Sequence, residues 1–363
     1  MGLRVGLVGL PNAGKSTLFN ALSKGSAEVA PYPFTTINPN HAIVPIGDER
    51  LKALTAILSP QKVTPSTIEF IDIAGLVKGA SEGEGLGNQF LSHIREIHLM
   101  AIVLRCFKGK DIPHPYEAID PVRDLDILET ELLLADIQLL DRHLEKLGRM
   151  IKSGDPEVAK KYNFFKELFG QLNKGDWPDP DLREKGDHPA LREAPLLTFK
   201  PAILVANADE EELKEQAFIP ALRERAEARK ALLVIVLGRL ESELDLLSPS
   251  EQEEYLKIVN LSEWGVPRMI QNSISLLHQI TFYTLVGTEI RAWMVREGST
   301  AGECAGKIHT QMEEGFIKAE VIPFSEFMKW KSLTRAREEG VLRIEGKNYR
   351  VLDGDILTIR FRS

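Results

Sequence analysis

Short apolar runs recur along the chain, and each is followed by a polar or glycine-containing turn. These runs lie at residues 3–8, 67–73, 202–206 and 232–236. Runs of this length are typical of strands that are buried on both faces, as in parallel sheets. The pattern therefore predicts an α/β domain.

The hydrophobic period changes to that of helices between residues 119 and 198. Apolar side chains spaced three and four residues apart form one broad stripe from Leu125 to Ile151 and a second from Val158 to Leu172. The sequence SGDP at residues 153–156 interrupts the two stripes. We therefore expect a helical hairpin, inserted into the α/β domain at residues 119–198.

Basic side chains surround the predicted turn of this hairpin. Acidic residues lie in the same span, so a solvated helix face is one explanation. A projecting arm with a basic tip would also suit contact with a phosphate backbone. The basic residues are Arg142, Lys146, Arg149, Lys152, Lys160, Lys161 and Lys166.

Strand-like segments return at residues 282–286 and 289–295, followed by a helix at 301–308 and two strands around Asp353-Gly354. This order predicts a small domain at residues 281–363, after a first domain at residues 1–280 that the helical insertion interrupts. The small domain contains no constellation typical of a second active site. We interpret it as a binding module for RNA or protein.

Composition agrees with an enzyme of more than one domain, because 363 residues exceed what one core normally serves. The net charge of −8 argues against a uniformly basic nucleic-acid-binding protein, and we expect neither DNA nor a membrane as partner. Cys106 and Cys304 have no metal-ligand or disulfide spacing. With no apolar run long enough for a membrane span and no signal peptide, we expect a cytoplasmic protein.

The strongest chemical signal is the sequence GLPNAGKST at residues 9–17, which fits the phosphate-binding loop pattern G-x-x-x-x-G-K-[ST] directly after an apolar strand. Backbone amides of this loop and the start of the next helix would surround the phosphates of a nucleoside triphosphate. Lys15 would bridge the β- and γ-phosphates, and the Ser16 hydroxyl would bind Mg²⁺. The loop residues assigned to nucleotide binding are Asn12, Ala13, Gly14, Lys15, Ser16 and Thr17.

A second phosphate-sensing element is the D-x-A-G sequence at residues 72–75, at the end of a strand. Asp72 would hold the shell of Mg²⁺, and Gly75 would offer its N–H to the γ-phosphate. By itself the sequence also describes a plain strand-to-turn junction. Thr36 lies between the two elements and would complete the metal shell, although it also fits a solvated loop hydroxyl.

The glycine-rich stretch at residues 76–87 follows Gly75 directly. Because glycine tolerates many backbone conformations, this stretch suits a segment that orders with nucleotide state, and a flexible surface loop is the alternative.

Base selection depends on Asn207-Ala208-Asp209-Glu210, where a GTPase would have N-K-x-D. The Asp of that motif accepts hydrogen bonds from guanine, whereas adenine presents an acceptor at the same edge and a carboxylate there would repel it. Glu210 is one methylene longer than this Asp. The four residues also fit a loop followed by an acidic helix start. The loop at residues 237–241 lacks the small residues that usually contact the base, so no base contact is assigned around Gly238.

Four segments resemble the Obg-like ATPases, the YchF branch of the Obg-related P-loop NTPases. They are GLPNAGKST, YPFTTINPN, DIAGLVKGASEGEGLGNQFLSHIRE and AGKIHTQMEEGFIKAEVIPFSEF. The resemblance covers nearly the whole chain. It implies an α/β P-loop NTPase G domain with an inserted α-helical coiled-coil arm and a C-terminal β-grasp (TGS) domain. It also implies a ribosomal partner, and a preference for ATP over GTP through Asn207, the Ala208 backbone and Glu210.

Leu76 occupies the position where regulatory GTPases commonly place a Gln that orients the attacking water. A leucine side chain forms no hydrogen bond, so we expect slow hydrolysis organised by another group. The resemblance points to His114, whose imidazole would orient water or stabilise charge. A partly exposed loop histidine is the alternative, and Pro115 departs from the small aliphatic residue typical of the family.

Asn12 holds the position that binds K⁺ in some related NTPases, so K⁺ is a second candidate cofactor besides Mg²⁺. Asn in a tight turn also fits without a cation, because it tolerates left-handed backbone geometry. The sequence therefore predicts a regulatory Mg²⁺-dependent ATPase that associates with the ribosome in a nucleotide-dependent way. The alternatives are a GTP-specific Obg-type switch and a non-enzymatic scaffold that nucleotide stabilises.

Overall fold

The computed structural model describes residues 2–24, 28–30, 40–73, 86–109, 112–116, 118–151, 154–178 and 189–362. Thr36, Gly75, Leu76 and most of the glycine-rich stretch lie outside these ranges, so their predicted roles stay predictions. The chain divides into two compact units. Unit 1 comprises residues 1–44 and 69–273, and unit 2 comprises residues 45–68 and 274–363.

The strands are numbered here in chain order. They are β1 (Leu3–Val8), β2 (Glu28–Ala30), β3 (Asn40–Pro45), β4 (Lys62–Thr64), β5 (Thr67–Asp72), β6 (Leu99–Cys106), β7 (Ala202–Ala208), β8 (Leu232–Val236), β9 (Gln279–Val286), β10 (Glu289–Arg296), β11 (Phe316–Pro323), β12 (Arg343–Glu345) and β13 (Asp355–Phe361).

The helices are numbered in the same way. They are α1 (Lys15–Ser23), α2 (Glu49–Leu58), α3 (Leu86–Glu96), α4 (Pro121–Met150), α5 (Pro156–Leu172), α6 (Pro189–Glu193), α7 (Glu210–Glu215), α8 (Ile219–Ala228), α9 (Gly238–Glu241), α10 (Pro249–Ile258), α11 (Gly265–Leu276), α12 (Ala301–Ile308), α13 (Thr310–Glu314), α14 (Phe324–Trp330) and α15 (Leu333–Glu338). Short 3₁₀ turns lie at Leu197–Phe199 and Leu244–Leu246.

Unit 1 is built on a sheet with the strand order β2-β3-β5-β1-β6-β7-β8. Strands β1, β6, β7 and β8 pair in parallel, as the apolar runs predict. Every side chain of β6 is buried, since the sheet is covered on both faces. The carboxyl ends of these parallel strands therefore meet at one edge of the sheet, which is where α/β proteins place their ligands.

The predicted helical hairpin is formed by α4 and α5, and the prediction of an inserted helical arm is confirmed. Each helix starts with an aspartate that caps backbone N–H groups, Asp120 for α4 and Asp155 for α5, followed by a proline at the first helical position. The two helices pack through a cluster that includes Leu140, Phe165 and Leu168. The stripes identified in the sequence are thus the packed faces of the hairpin.

Unit 2 contains a second sheet with the order β12-β11-β13-β9-β10-β4. The antiparallel hairpin of β9 and β10 is followed by α12, and the later strand β13 pairs with β9 in parallel. This is the predicted β-grasp arrangement. Of the two strands predicted around Asp353-Gly354, only β13 forms, because the preceding residues make an isolated bridge between Arg350 and Thr300 instead of a ladder.

Residues 45–68 belong to unit 2, although the sequence prediction placed them in the first domain. Strand β4 of this segment pairs in parallel with β10. The Arg50 guanidinium donates to Asp353 at 2.7 and 3.3 Å, and the Tyr283 hydroxyl donates to Asp48, the residue that caps α2. The segment is therefore held in unit 2 by main-chain pairing and by ion pairs.

In the part of the chain that the structure describes, no helix combines the length and the apolar character that crossing a membrane requires.

Candidate nucleotide-binding site

The loop between β1 and α1 has the backbone geometry of a phosphate-binding loop. Asn12 and Gly14 adopt left-handed conformations, with φ angles of 62° and 91°. A Cβ atom added to Gly14 would lie 2.0 Å from Nδ2 of Asn207. Glycine is therefore required here both for its backbone conformation and for the close approach of β7.

Lys15 begins α1, and its side chain is buried with 7% of the residue exposed. Its Nζ donates hydrogen bonds to the carbonyl oxygens of Gly9 at 3.0 Å and Leu10 at 2.9 Å. Burial lowers the pKa of Lys15 to about 8, against the opposing influence of the Asp72 carboxylate. The ammonium group is thus held inside the loop, where it has lost much of its hydration.

Ser16 and Asp72 lie next to each other, as the sequence predicts for two residues around one Mg²⁺. Asp72 ends β5, the strand beside β1, and its Oδ2 accepts a hydrogen bond from the Ser16 hydroxyl at 3.1 Å. Burial raises the pKa of Asp72, while Ser16 and the Lys15 ammonium act in the opposite direction. A partly desolvated carboxylate beside a hydroxyl is a suitable oxygen ligand set for Mg²⁺, which usually takes few protein ligands.

Asn207 joins the phosphate-binding loop to the loop after β8. It lies near the end of β7 with 4% of its surface exposed. Its Nδ2 donates to the carbonyl of Ala13 at 3.0 Å, and its Oδ1 accepts from the N–H of Gly238 at 3.2 Å. The sequence analysis assigned Asn207 to the base and missed this bracing role. The three segments are thereby fixed relative to one another, which positions the buried Ala208 at the end of β7.

Glu210 is the first residue of α7, directly after the cap residue Asp209. The Asp209 carboxylate accepts from the N–H of Glu212 at 2.8 Å and from the N–H of Lys108 at 3.2 Å. Glu210 accepts a hydrogen bond from the hydroxyl of Tyr255. The Glu210 carboxylate is therefore directed by a contact with α10, which sequence reasoning had no means of finding.

Arg105 organises the segment that follows β6. It is almost fully buried, and its guanidinium donates to the carbonyl oxygens of Ile112 at 3.1 Å, Pro113 at 3.3 Å and Gly109 at 3.4 Å. The guanidinium also stacks over the ring of Phe107, with its carbon 4.7 Å from the ring centroid. An arginine within an apolar run gave no signal of this role in the sequence.

His114 lies on the segment that Arg105 organises. Its Nε2 is 2.9 Å from the Asp124 carboxylate of α4, and its Nδ1 accepts from the N–H of Tyr116 at 3.1 Å. The side chain is 6% exposed, because these contacts hold it against α4. Asn12 donates to the carbonyl of the adjacent Pro113 at 3.0 Å, which places this segment against the phosphate-binding loop.

The loop that starts α9 is held by Glu241. This buried carboxylate accepts hydrogen bonds from the N–H groups of Leu237 at 3.0 Å, Gly265 at 3.1 Å and Val266 at 2.7 Å. Burial raises the pKa of Glu241, and the three N–H donors oppose that rise. The loop without a recognisable base-contacting sequence is thus rigidly built at the same sheet edge as Asn207.

Two family sequence models match the chain. The model described as "50S ribosome-binding GTPase" matches residues 4–139. The model of the C-terminal domain of YchF-type GTPases, described as a protein of unknown function, matches residues 279–362. The first match contains the phosphate-binding loop, Asp72 and His114.

Curated relatives match the chain over its whole length. The protein named "Ribosome-binding ATPase YchF" from Pasteurella multocida is 42% identical, and that from Escherichia coli O157:H7 is 41% identical, each alignment covering 99% of both chains. The protein of the same name from Bacillus subtilis is 38% identical over 99% of this chain and 100% of its own length.

A solved structure has the same fold. The YchF GTPase of Schizosaccharomyces pombe is similar with a TM-score of 0.82 and 31% sequence identity, covering 99% of this chain and 98% of its own.

Proposed function

The chain belongs to the YchF family of P-loop NTPases, and from this membership we propose that it is an ATP-binding, slowly hydrolysing ATPase that associates with the ribosome in a nucleotide-dependent way. As a member it is a nucleotide hydrolase. The observation that carries the proposal is the grouping of Lys15, Ser16 and Asp72 at the carboxyl edge of the parallel sheet. The names of the relatives support ATP as substrate and the ribosome as partner.

Phosphate binding is assigned to residues 12–17. Lys15 already contacts two loop carbonyls, so its ammonium would exchange those acceptors for phosphate oxygens without travelling far. Phosphate oxygens are stronger acceptors than carbonyls because they carry charge. Phosphate binding would therefore compensate the ammonium for the water contacts that it lost on burial.

Ser16 and Asp72 would hold Mg²⁺, together with Thr36. Bound Mg²⁺ neutralises charge on the β- and γ-phosphates. Asp72 would provide the negative charge of the site, and Ser16 would turn its hydroxyl oxygen from the carboxylate toward the ion. K⁺ stays a prediction that rests on Asn12.

Preference for ATP over GTP is proposed from residues 207–210. Asn207 uses both ends of its side-chain amide on Ala13 and Gly238, so its proposed part in the base site is to hold the Ala208 backbone that follows it. Glu210 is directed toward Tyr255, whereas the Asp of a GTPase motif accepts from guanine N1–H and the exocyclic amine. Adenine has an acceptor, N1, at the edge where guanine has its N1–H. A site with no carboxylate facing this edge would therefore tolerate adenine.

Replacing Glu210 with Asp tests the base preference. We expect the ratio of ATP to GTP affinity, measured by paired titration calorimetry with non-hydrolysable analogues, to fall by roughly tenfold, because the shorter side chain loses its contact with Tyr255 and becomes free to meet guanine. The matched control is Glu211→Asp, the same change at the next residue, whose carboxylate lies near Lys108. A wild-type protein that prefers GTP would make it an ordinary GTPase switch and overturn this part of the proposal.

Slow hydrolysis is proposed because Leu76 offers no group to position water, and His114 is proposed to take that part. Its Nε2 is engaged by Asp124 in the structure, so water orientation requires that this contact open. Such an opening would make His114 a conditional catalytic group, available in some states of the protein and withheld in others.

The variant His114→Ala is expected to lower the maximal rate of ATP hydrolysis by about a hundredfold, in the range typical of a lost general acid–base or water-orienting group, and to leave ATP affinity within about threefold. The control is His143→Ala on the arm. Steady-state phosphate release measures the rate, and calorimetry measures the affinity. An unchanged rate in His114→Ala would remove His114 from the mechanism.

Ribosome association is tested by cosedimentation of the full chain with purified ribosomes in the presence of ADP or a non-hydrolysable ATP analogue. We expect the pelleted fraction to differ between the two nucleotides. Equal pelleting in both states would leave a ribosome-binding scaffold, and no pelleting would remove the ribosome from the proposal.

A further inference from the structure

A surface cavity of about 290 Å³ lies between α3 and α4 in unit 1. Among the residues that the structure describes, its lining includes two arginines and no carboxylate. The lining residues are Leu91, Ser92 and Arg95 of α3 and Ala135, Gln138 and Arg142 of α4. Two guanidinium groups with neutral hydroxyl and amide neighbours form a donor set suited to an anion.

The positive charge of Arg95 is only partly compensated. Its guanidinium donates to the carbonyl of Pro195 at 2.7 Å, and the nearest Asp136 oxygen is 3.7 Å away. The buried Asp136 carboxylate already accepts three shorter hydrogen bonds, from the N–H of Leu197 and from the N–H and hydroxyl of Thr198. Asp136 is thus directed toward the 3₁₀ turn rather than toward the cavity.

Arg142 adds a second positive charge, for which no ion pair is found among the described residues. Within the described ranges its one hydrogen bond runs from Nε to the carbonyl of Gln138, on the same helix, at 3.2 Å. Burial lowers the pKa of Arg95; the Asp136 charge opposes this effect, and the Arg142 charge adds to it. Behind them, burial lowers the pKa of Lys200 to about 8, with the Arg95 charge acting in the same direction. Like charges therefore accumulate on this side of unit 1.

We propose that the cavity between α3 and α4 binds a phosphate group of RNA, with Arg95 and Arg142 as its ligands. This rests on the proposed ribosome association, since RNA phosphates are the predominant anions on a ribosome. Planar guanidinium groups bind phosphate oxygens in pairs. A chain with a net charge of −8 needs such local basic sites to approach RNA.

The position of the cavity gives the site a regulatory meaning. Helix α3 begins at Leu86, inside the last part of the glycine-rich stretch that follows the predicted γ-phosphate ligand Gly75. Helix α4 is the first helix of the arm. A phosphate held by Arg95 and Arg142 would bridge the two helices, so RNA contact would be sensed on the helix nearest in sequence to the nucleotide-dependent segment.

The test compares Arg142→Glu with Arg149→Glu in the full chain. Both residues lie on α4, two helical turns apart, and Arg149 is 84% exposed with a partner, Glu145, on its own helix. The probe is a fluorescein-labelled RNA duplex, followed by anisotropy over a series of salt concentrations. For Arg142→Glu we expect binding roughly tenfold weaker and a salt slope smaller by about 1, as for one lost phosphate contact. Arg149→Glu is expected to change both the RNA affinity and the salt slope much less.

Three results would overturn the site: no RNA binding by the wild type, equal losses in both variants, or an unchanged affinity for RNA in Arg142→Glu. A polyglutamate peptide that binds through Arg142 while the RNA does not would identify an acidic protein as the partner instead. Thermal denaturation checks that both variants fold. Ribosome cosedimentation of the wild type separates the RNA site from the proposed ribosome association. If the wild type does not pellet with ribosomes but still binds the RNA duplex through Arg142, only the ribosome association is refuted.

Discussion

Replacing Lys15 with Ala is expected to reduce ATP turnover by at least about a hundredfold, the size of effect seen when one preorganised donor to a developing charge is removed. Lys15 is the buried cation of the phosphate-binding loop, and its Nζ lies within 3.0 Å of two loop carbonyls. Alanine keeps the helix start but leaves no charge for the γ-phosphate. Phosphate release with Mg²⁺ measures turnover, and circular dichroism checks folding. Turnover close to the wild-type value would leave only a nucleotide-binding scaffold.

The same variant should also remove a pH dependence of ATP affinity. In the free protein the pKa of Lys15 is lowered to about 8 by burial, from an ordinary value of 10.5. The free energy of unfolding therefore rises as pH increases from about 8 toward 10.5, because in this window the unfolded chain still holds the proton that the folded protein has lost. Bound phosphates favour the charged form, so above about pH 8 binding takes up a proton and affinity falls by up to about tenfold per pH unit.

Calorimetry in buffers of different ionisation enthalpy measures this proton uptake. We expect little uptake by the wild type at pH 7, an uptake approaching one proton at pH 9, and none at either pH for Lys15→Ala. The control is Lys108→Ala, which removes an exposed ammonium paired with Glu215. An affinity that is flat from pH 7 to pH 9 in the wild type would contradict the role given to the buried ammonium.

The second large effect is expected for Gly14→Ala, which should weaken nucleotide binding by at least about a hundredfold and lower the melting temperature. Gly14 has a φ of 91°, where a side chain alone costs about 1 to 2 kcal/mol. Its new methyl group would also overlap Nδ2 of Asn207, which two hydrogen bonds hold in place. The loop would have to move away from β7, and the anion-binding N–H groups would move with it.

Two further variants separate the causes. Gly47→Ala adds a methyl group in open space and should change neither property. Adding Asn207→Ala to Gly14→Ala removes the overlap but leaves the backbone strain and deletes the two hydrogen bonds of Asn207, so nucleotide affinity should stay low and stability should not return to the wild-type value. Melting curves and calorimetry give both readouts. Normal nucleotide affinity in Gly14→Ala would contradict the geometry of the loop.

The parts of the site that the sequence predicted are those encoded by neighbouring residues. Strand β1, the loop and α1 follow one another directly, so an apolar run and a short motif were enough to place Lys15 and Ser16. Asp72 was predicted because it ends an apolar run of its own. The hydrogen bond between Ser16 and Asp72 then follows from the pairing of β1 and β5 in one sheet.

The supporting contacts were not predictable, because they join residues that are far apart in the chain. Asn207 and Ala13 are 194 positions apart, and no local pattern shows that they meet. Arg105 lies in an apolar strand, where periodicity gives no reason for a guanidinium. Its role is visible only once the carbonyl groups of Gly109, Ile112 and Pro113 are seen to accept its hydrogen bonds.

The passage of residues 45–68 into unit 2 has a consequence for any attempt to take the molecule apart. The chain crosses between the units three times, at 44/45, 68/69 and 273/274, so no single cut separates them. A fragment limited to residues 279–362 would lack β4, the edge strand that pairs with β10, and would leave the Tyr283 hydroxyl without its acceptor Asp48. Proteolysis at residue 273 should yield two pieces that still copurify, because residues 45–68 of the first piece belong to unit 2. Gene fusions that borrow unit 2 must therefore encode residues 45–68 as well as the C-terminal segment.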